Sequence, residues 1–382
     1  NDYAMNSHLY QLYWFLSNGE FQDFYGFPDY QINLKDVFGA NYEILSSTKT
    51  VIGTTSITNT NGAAYKVSGV SSVLSSPDYP AGIWNPTTCN YSSRSGTAIT
   101  AVAIHFVQGS YAGCISWFKN CSASASSHYV VRSSDGQVTQ MVYESDKAWH
   151  AASANPYTLG TEHEGYINNA SWFTNAMYQS SADLTRDMCT SNGINPLRCY
   201  FGPGCSGTTQ QCEQGNCVKI KGHQMFASQT HSDPGPLFNW EKFYKLINNT
   251  PVVTTVTATS GTFYDSGLAA ANYANDERKL WLFQPSGGAT SVSMNFTSFS
   301  LENNYDYLFI YDGSTVNAPL IGKYTSTVSP GNINSTGSSL LIEFRSDCAT
   351  SAAGWVATYT TNGVGTPTTT ADVTIPTTTI SS

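Results

Sequence analysis

The run Ala101-Val-Ala-Ile-His-Phe-Val107 is apolar at every position except His105. A continuous apolar run of this length fits a strand buried on both faces, as in the parallel part of an α/β sheet. Signals on either side alternate between strand and helix. Residues 110–121 read as a helix. His128-Tyr-Val-Val-Arg132 and Val138-Thr-Gln-Met-Val-Tyr143 flank Asp135-Gly136, a hairpin signal, because Gly readily takes the positive φ of a tight turn. Leu159–Ile167 reads as a further strand. Ser171–Thr190 carries Phe173, Met177, Leu184 and Met188 at helical spacing, as a core-facing helix does. A Cys- and Gly-rich insert (195–218) then leads through a short strand to Gly222-His223. Residues 76–248 are therefore expected to form an α/β domain with a mixed central sheet flanked by helices.

The texture changes after residue 250. Ser291-Val-Ser-Met-Asn-Phe296, Tyr307-Leu-Phe-Ile-Tyr311 and Leu340-Leu-Ile-Glu-Phe344 are short strand-like runs separated by turn residues. Their spacing predicts an all-β sandwich over 251–361. Residues 1–75 open on the aromatic stretch His8–Leu16, read as a short buried helix in a lead-in segment. Residues 362–382 are Thr- and Pro-rich and cannot build a core, so they read as a linker or tail.

Composition narrows the function. The 382 residues carry 17 Lys and Arg against 26 Asp and Glu, a net charge of −9. Nucleic acid is not the expected partner, since phosphate binding needs clustered cations. No stretch is apolar for 18 residues, so no transmembrane helix is expected. The chain starts at Asn1 without a basic-plus-apolar leader, so any signal peptide is expected to have been removed already. Low charge, nine Cys and no Cys-x-x-Cys pair suit an oxidising, extracellular setting. Cys114 with Cys121, and a pairing within Cys199–Cys217, are the expected local disulfides, leaving Cys348 free or intermolecular. Sequons at Asn90, Asn120, Asn169, Asn248, Asn295 and Asn334 permit glycosylation.

Six of the seven His fall between residues 105 and 231. His105, His223 and Asp233 offer two imidazoles and a carboxylate, a donor set suited to Zn²⁺ with a fourth position left for water. Glu162, within Gly160-Thr-Glu-His-Glu-Gly165, is a candidate general base. His231 is a candidate donor to a developing oxyanion. Taken singly, each is a polar residue of an ordinary kind; their number and order are what stand out.

Those residues sit in motifs that resemble the zinc-dependent N-acetylmuramoyl-L-alanine amidases of type 2, the superfamily of the peptidoglycan recognition proteins. The matching stretches are Ala103-Ile-His105, Ser126–Val131, Asp135-Gly136, Ala148-Trp-His-Ala151, Leu159–Gly165, and Gly222-His223 with Asp233-Pro-Gly-Pro236. The resemblance covers roughly residues 80–248. It implies His105, His223 and Asp233 as zinc ligands, Glu162 as the glutamate that activates the attacking water, and His231 as the group stabilising the tetrahedral intermediate. It places His128 and His150 along the substrate groove, and Trp149 as more a packing residue than a binding one. His163, alternating with Glu162, is expected to face away. The implied reaction is hydrolysis of the amide between N-acetylmuramic acid and L-Ala in peptidoglycan.

Residues 254–361 resemble a CUB domain, through Gly261–Gly267, Tyr305-Asp-Tyr-Leu308, Ile310-Tyr-Asp-Gly313, Phe344-Arg-Ser-Asp347 and Gly354-Trp355. That resemblance implies a Ca²⁺ site at Glu302, Asp306 and Asp347, whose hard oxygens suit the ion, and adhesion to a protein partner. Two other functions compete with a secreted peptidoglycan amidase. One is a protein that grips peptidoglycan without cutting it. The other is an extracellular structural or self-assembling protein, suggested by the aromatic N-terminus, the tail and the odd Cys348.

Overall fold

The computed structural model describes residues 77–202 and 212–363, together with a small antiparallel pair, β1 (Ile57–Thr58) and β2 (Ala64–Tyr65). The expected helix at His8–Leu16 and the tail after residue 363 lie outside the described residues. The chain divides between Ser75 and Ser76, and everything C-terminal to that point clusters as one unit.

The apolar run does form a strand buried along its whole length, β5 (Ala101–Phe106). It lies inside a six-stranded sheet with β3 (Ile83–Trp84), β6 (Tyr129–Val131), β7 (Val138–Gln140), β9 (Thr158–His163) and β10 (Ile220–Gly222), ordered β10-β5-β9-β6-β7-β3. Only β6 and β7 pair antiparallel, so the sheet is mixed. They meet at the Asp135-Gly136 turn, where Gly136 has φ of +76°. β4 (Tyr91–Ser93) and β8 (Asp146–Ala148) form a separate ribbon.

Among the described residues, three α-helices accompany the sheet. In α1 (Tyr111–Lys119) the Ser110 hydroxyl caps the N-terminus by accepting from the Gly113 amide. In α2 (Asn175–Asn192) Thr174 caps the start and Gly193, left-handed at φ +64°, ends the helix. Met177, Leu184 and Met188 of α2 are buried as their spacing predicts; Phe173 falls just before the helix. The short α3 (Trp240–Ile247) buries Trp240, Phe243, Tyr244 and Ile247.

The C-terminal half is a two-sheet sandwich. One sheet runs β11-β13-β18-β15-β16, the other β12-β19-β14-β17. These are Val253–Val256 (β11), Ser260–Tyr264 (β12), Arg278–Phe283 (β13), Ser291–Ser300 (β14), Tyr307–Tyr311 (β15), Leu320–Tyr324 (β16), Asn332–Asn334 (β17), Leu340–Arg345 (β18) and Gly354–Asn362 (β19). Phe263, Trp281, Trp355 and Tyr359 are buried between the sheets.

The two halves share a core. Phe309 and Tyr311 of β15 and Leu341 of β18 belong to the same buried cluster as Phe201, Phe243 and Tyr244 of the α/β half. At this seam Glu343 is fully buried between two guanidiniums. Arg278 Nε and Arg345 Nε both lie 2.8 Å from Glu343 Oε1. Arg278 also donates to the carbonyls of Asn248 and Asn249 just beyond α3, and Arg345 lies over the rings of Phe309 and Tyr244 at 4.3 and 4.9 Å. Burial alone would raise the Glu343 carboxyl, but the two arginines hold it down at about 2.

The cysteines depart from expectation. Cys121 pairs with Cys89, not Cys114, and Cys217 pairs with Cys348 across the seam. Cys114 is a buried thiol because it sits inward on α1, packed with Phe118 and Val130. Cys199 and Cys212 are buried thiols too, so neither pairs within 199–217; Cys205 lies outside the described residues. The intrachain partner of Cys348 removes one reason to expect assembly through that residue. Two sequons are also closed. The Asn90 amide is buried and donates to the carbonyls of Phe118 and Asn120, and that of Asn248 to those of Pro196 and Tyr244.

Non-reducing peptide mapping should recover the 89–121 and 217–348 linked peptides, with Asn90 and Asn248 unmodified. Closing a 131-residue separation is worth several kcal/mol in the chain-entropy account, so Cys348→Ser should lower unfolding free energy by about 2–5 kcal/mol. Glu343→Ala, which strands two buried cations, should cost about 3–5 kcal/mol. A Cys348→Ser protein that melts with the parent would show that the bridge adds no stability.

Candidate active site and the comparisons that place it

In open sheets with parallel strands, sites form beyond the carboxyl ends of the strands. Three such ends meet here. β5 and β9 run parallel with His105 directly opposite Glu162 in the pairing. β10 runs parallel on the other side of β5, with Gly222 opposite Ile104, and hands the chain straight to His223. Gly222 has to be glycine: a Cβ there would lie 2.4 Å from the Pro234 ring. That close approach brings the next turn, and Asp233 with it, against the two histidines.

His105 Nδ1 lies 3.2 Å from Asp233 Oδ2, and His223 Nδ1 lies 3.2 Å from Asp233 Oδ1. All three residues are buried, and their ligand atoms fall within 4.8 Å of one another. Two nitrogen donors and a carboxylate at such spacing can hold a divalent transition metal. Burial, then the neighbouring His223, push His105 down to about 4. Its imidazole is therefore neutral near pH 7, the form that coordinates.

Glu162 faces the same cleft. Its Oε2 is buried without a hydrogen-bond partner. Burial first, then the charge of Asp233, raise its carboxyl well above the usual range. A carboxyl so placed holds a proton readily and is ready to exchange one. His231 is different in kind. Its side chain is 66% exposed, its ring stacks on His223 at 4.5 Å between centroids, and its Nδ1 is 4.0 Å from Asp233 Oδ1.

The cleft holds about 1260 Å³ and is lined by Trp117, Trp149, His150, Glu162, His223 and His231 among others. Trp149 both packs and lines: its indole donates to Ser92 Oγ while its flank faces the cleft. His150 also borders the cleft. His128 does not. It is fully buried behind His150, where its Nδ1 accepts from the Gly160 amide and Arg94 lies against the ring. Burial, then Arg94, push His128 down to about 3. His163 turns to the opposite face, as its alternation with Glu162 predicts, and bonds to the His105 carbonyl and Ser181 Oγ. Three residues near the site escaped sequence reading: Arg94, Thr158 and Gln229. None belongs to a motif, and only the folded chain brings them to the histidines.

The model of the N-acetylmuramoyl-L-alanine amidase family matches residues 95–236. N-acetylmuramoyl-L-alanine amidase A of Achromobacter lyticus is 42% identical over 172 residues, 45% of this chain and 96% of that protein. The chain belongs to the N-acetylmuramoyl-L-alanine amidase family. The amidase carries a CUB domain, whose family model matches residues 253–359. Xenopus laevis Neuropilin-1 is 34% identical to this chain over 109 residues, 28% of this chain but only 12% of that protein. Among solved structures, that of an AmpD derivative covers 44% of the amidase and 95% of its own chain, at 22% identity and a TM-score of 0.35.

The CUB domain of the amidase gathers a second donor set, Glu302, Asp306 and Asp347. Asp306 accepts from the Tyr273 hydroxyl and from the Asp347 amide. Glu302 Oε2 is buried without a partner. Burial raises both Glu302 and Asp306 to about 7, helped at Glu302 by the Asp347 charge.

These carboxyls hold their protons more tightly folded than unfolded, where they titrate at 4.5 and 3.8. Their contribution to stability is therefore present at low pH and lost as pH rises through about 7. In a chelator, the parent's melting temperature should fall relative to that of Asp306→Asn between pH 5 and pH 8, because the buried histidines act alike in both proteins. Millimolar Ca²⁺ at pH 8 should raise the melting temperature of the parent and not that of Asp306→Asn. A melting temperature indifferent to Ca²⁺ at pH 8 would argue against ion binding by this trio.

Proposed function

We propose that this chain is an extracellular, zinc-dependent hydrolase of peptidoglycan that cuts the amide between N-acetylmuramic acid and the L-Ala of the stem peptide. One observation carries the reading: the pairing of β5 with β9 sets Glu162 directly opposite His105, at the mouth where His223 and Asp233 converge. A zinc ion held by His105, His223 and Asp233 would polarise the scissile carbonyl and make water a better nucleophile at neutral pH.

The remaining work falls to side chains of the protein. Glu162 takes a proton from the attacking water and hands it to the departing amine of L-Ala, a transfer its raised carboxyl suits. His231, exposed at the rim, is free to turn an N–H toward the carbonyl oxygen as negative charge gathers there. Trp117, 55% exposed, and Trp149 offer flat apolar faces for the C–H faces of sugar rings, with His150 lower in the cleft. The volume exceeds that of most small-molecule pockets, about 300–1,000 Å³, and suits a segment of polymer. Two disulfides support an oxidising, extracellular location. In the CUB domain, Glu302, Asp306 and Asp347 suit Ca²⁺, and that face would engage a basic group on a protein partner.

Mass spectrometry of purified peptidoglycan after incubation decides the matter. Stem peptides beginning with a free L-Ala amine are expected, abolished by chelation and restored by Zn²⁺. Glu162→Ala should lower turnover by about 10²–10⁴-fold without disturbing the fold. Muropeptides left intact, with the protein retained on the wall, would instead mark it as a binding protein.

A further inference from the structure

Both histidines of the triad turn their second ring nitrogen away from Asp233, and each meets a chain of hydrogen bonds whose direction can be read. Thr158 Oγ1 donates to the Ala154 carbonyl at 2.7 Å, and a carbonyl can only accept. The single hydroxyl proton is thus committed, and toward His150 Nε2, 3.3 Å away, the hydroxyl can only accept. His150 therefore carries its proton on Nε2, leaving Nδ1 as an acceptor. Facing that Nδ1 at 2.9 Å is His105 Nε2, which must then be the donor. His105 is left with Nδ1 bare, pointing at Asp233 Oδ2.

A second chain reaches the same end independently. The Gln229 amide nitrogen donates to the carbonyls of Ala151 and Ala227, both at 3.2 Å, which fixes the amide orientation. Its Oε1 then accepts from His223 Nε2 at 3.0 Å. His223 is likewise left with Nδ1 bare, pointing at Asp233 Oδ1. Two lone pairs thus face a carboxylate at 3.2 Å, a repulsion that the two hydrogen-bonded chains impose on the metal-free protein and that a shared cation relieves.

We infer that His150 and Gln229 are positioning residues that lock both ligand histidines in the Nε2–H tautomer, each anchored on a carbonyl of the 151–154 turn. The turn itself is held: Asn155 Oδ1 accepts from the amides of His150 and Ala151. Room for the His150 ring comes from Gly160 of β9, where a Cβ would lie 2.6 Å from His150 Nδ1. His150 thus acts through His105, whether or not it also meets substrate. Outer partners of this kind typically change metal affinity about 10–100-fold.

The inference rests on the metal reading of the triad, and the test separates the two. Zinc affinity of the full chain is measured by competition with a chelating dye, and histidine tautomers by long-range ¹H–¹⁵N correlation spectra of ¹⁵N-His protein without metal. The unmodified chain should bind Zn²⁺ and show His105 and His223 protonated on Nε2. Thr158→Val and Gln229→Leu should each weaken zinc binding about 10–100-fold and release the tautomer of one histidine. Thr158→Ser should restore both readouts. Because the chains are independent, either variant suffices if the other fails to fold. Zinc affinity within twofold of the parent in the folded variants, or Nδ1 protonation in the parent spectra, would overturn the inference while leaving the metal site standing. An unmodified chain that does not bind Zn²⁺ would remove the metal reading itself, and this inference with it.

Discussion

The parallel pairing of β10, β5 and β9 is the constraint on which the site depends. Side chains alternate along a strand, so a slip of one residue between β5 and β9 would send Glu162 to the far face of the sheet and bring His163 forward. The two residues are adjacent and both can exchange protons, yet register gives them unrelated lives. Glu162 opens on the cleft. His163 is stacked on Phe106 and tied to α2 through Ser181. Gly160 of β9 helps fix the register, because the Cβ of any other residue slipped into its place would lie 2.6 Å from the His150 ring.

The seam between the amidase and CUB halves uses a different logic. A carboxylate flanked by two arginines in a dry interface adds little net stability over well-packed apolar residues, since three charges must leave water. Its partners come from both halves: Arg278 meets carbonyls just beyond α3, and Arg345 lies over the rings of Phe309, Tyr244 and Phe201. The CUB domain is therefore part of the amidase body rather than a bead on a string.

Much of this was legible in the sequence. The apolar run around His105 marked a buried strand, Asp135-Gly136 marked the hairpin of β6 and β7, and the order of His105, Glu162, His223 and Asp233 marked residues that the fold gathers at one cleft. Those signals are local, or belong to motifs that survive as strings. What could not be read depends on distance in space. Cys348 carries no mark of its partner 131 residues away. His128 looks like His150 on the page, yet one is sealed behind Arg94 and the other borders the cleft. Tyr307-Leu-Phe-Ile-Tyr311 read simply as a strand of the sandwich, but Tyr307, Phe309 and Tyr311 serve a core that two halves share. Gln229 is an unremarkable glutamine until the fold sets its amide between His223 and Ala151.

The bridge between Cys217 and Cys348 encloses both His223 and Asp233 together with α3 and most of the CUB sandwich. Two residues of the His105–His223–Asp233 triad therefore sit on a covalent ring, and the third, His105, lies outside it. A single cut by a protease anywhere in that ring opens the loop without setting either piece adrift. Such a nick is an injury the molecule can carry, and the exposed loops of that region become expendable as backbone while remaining intact as architecture.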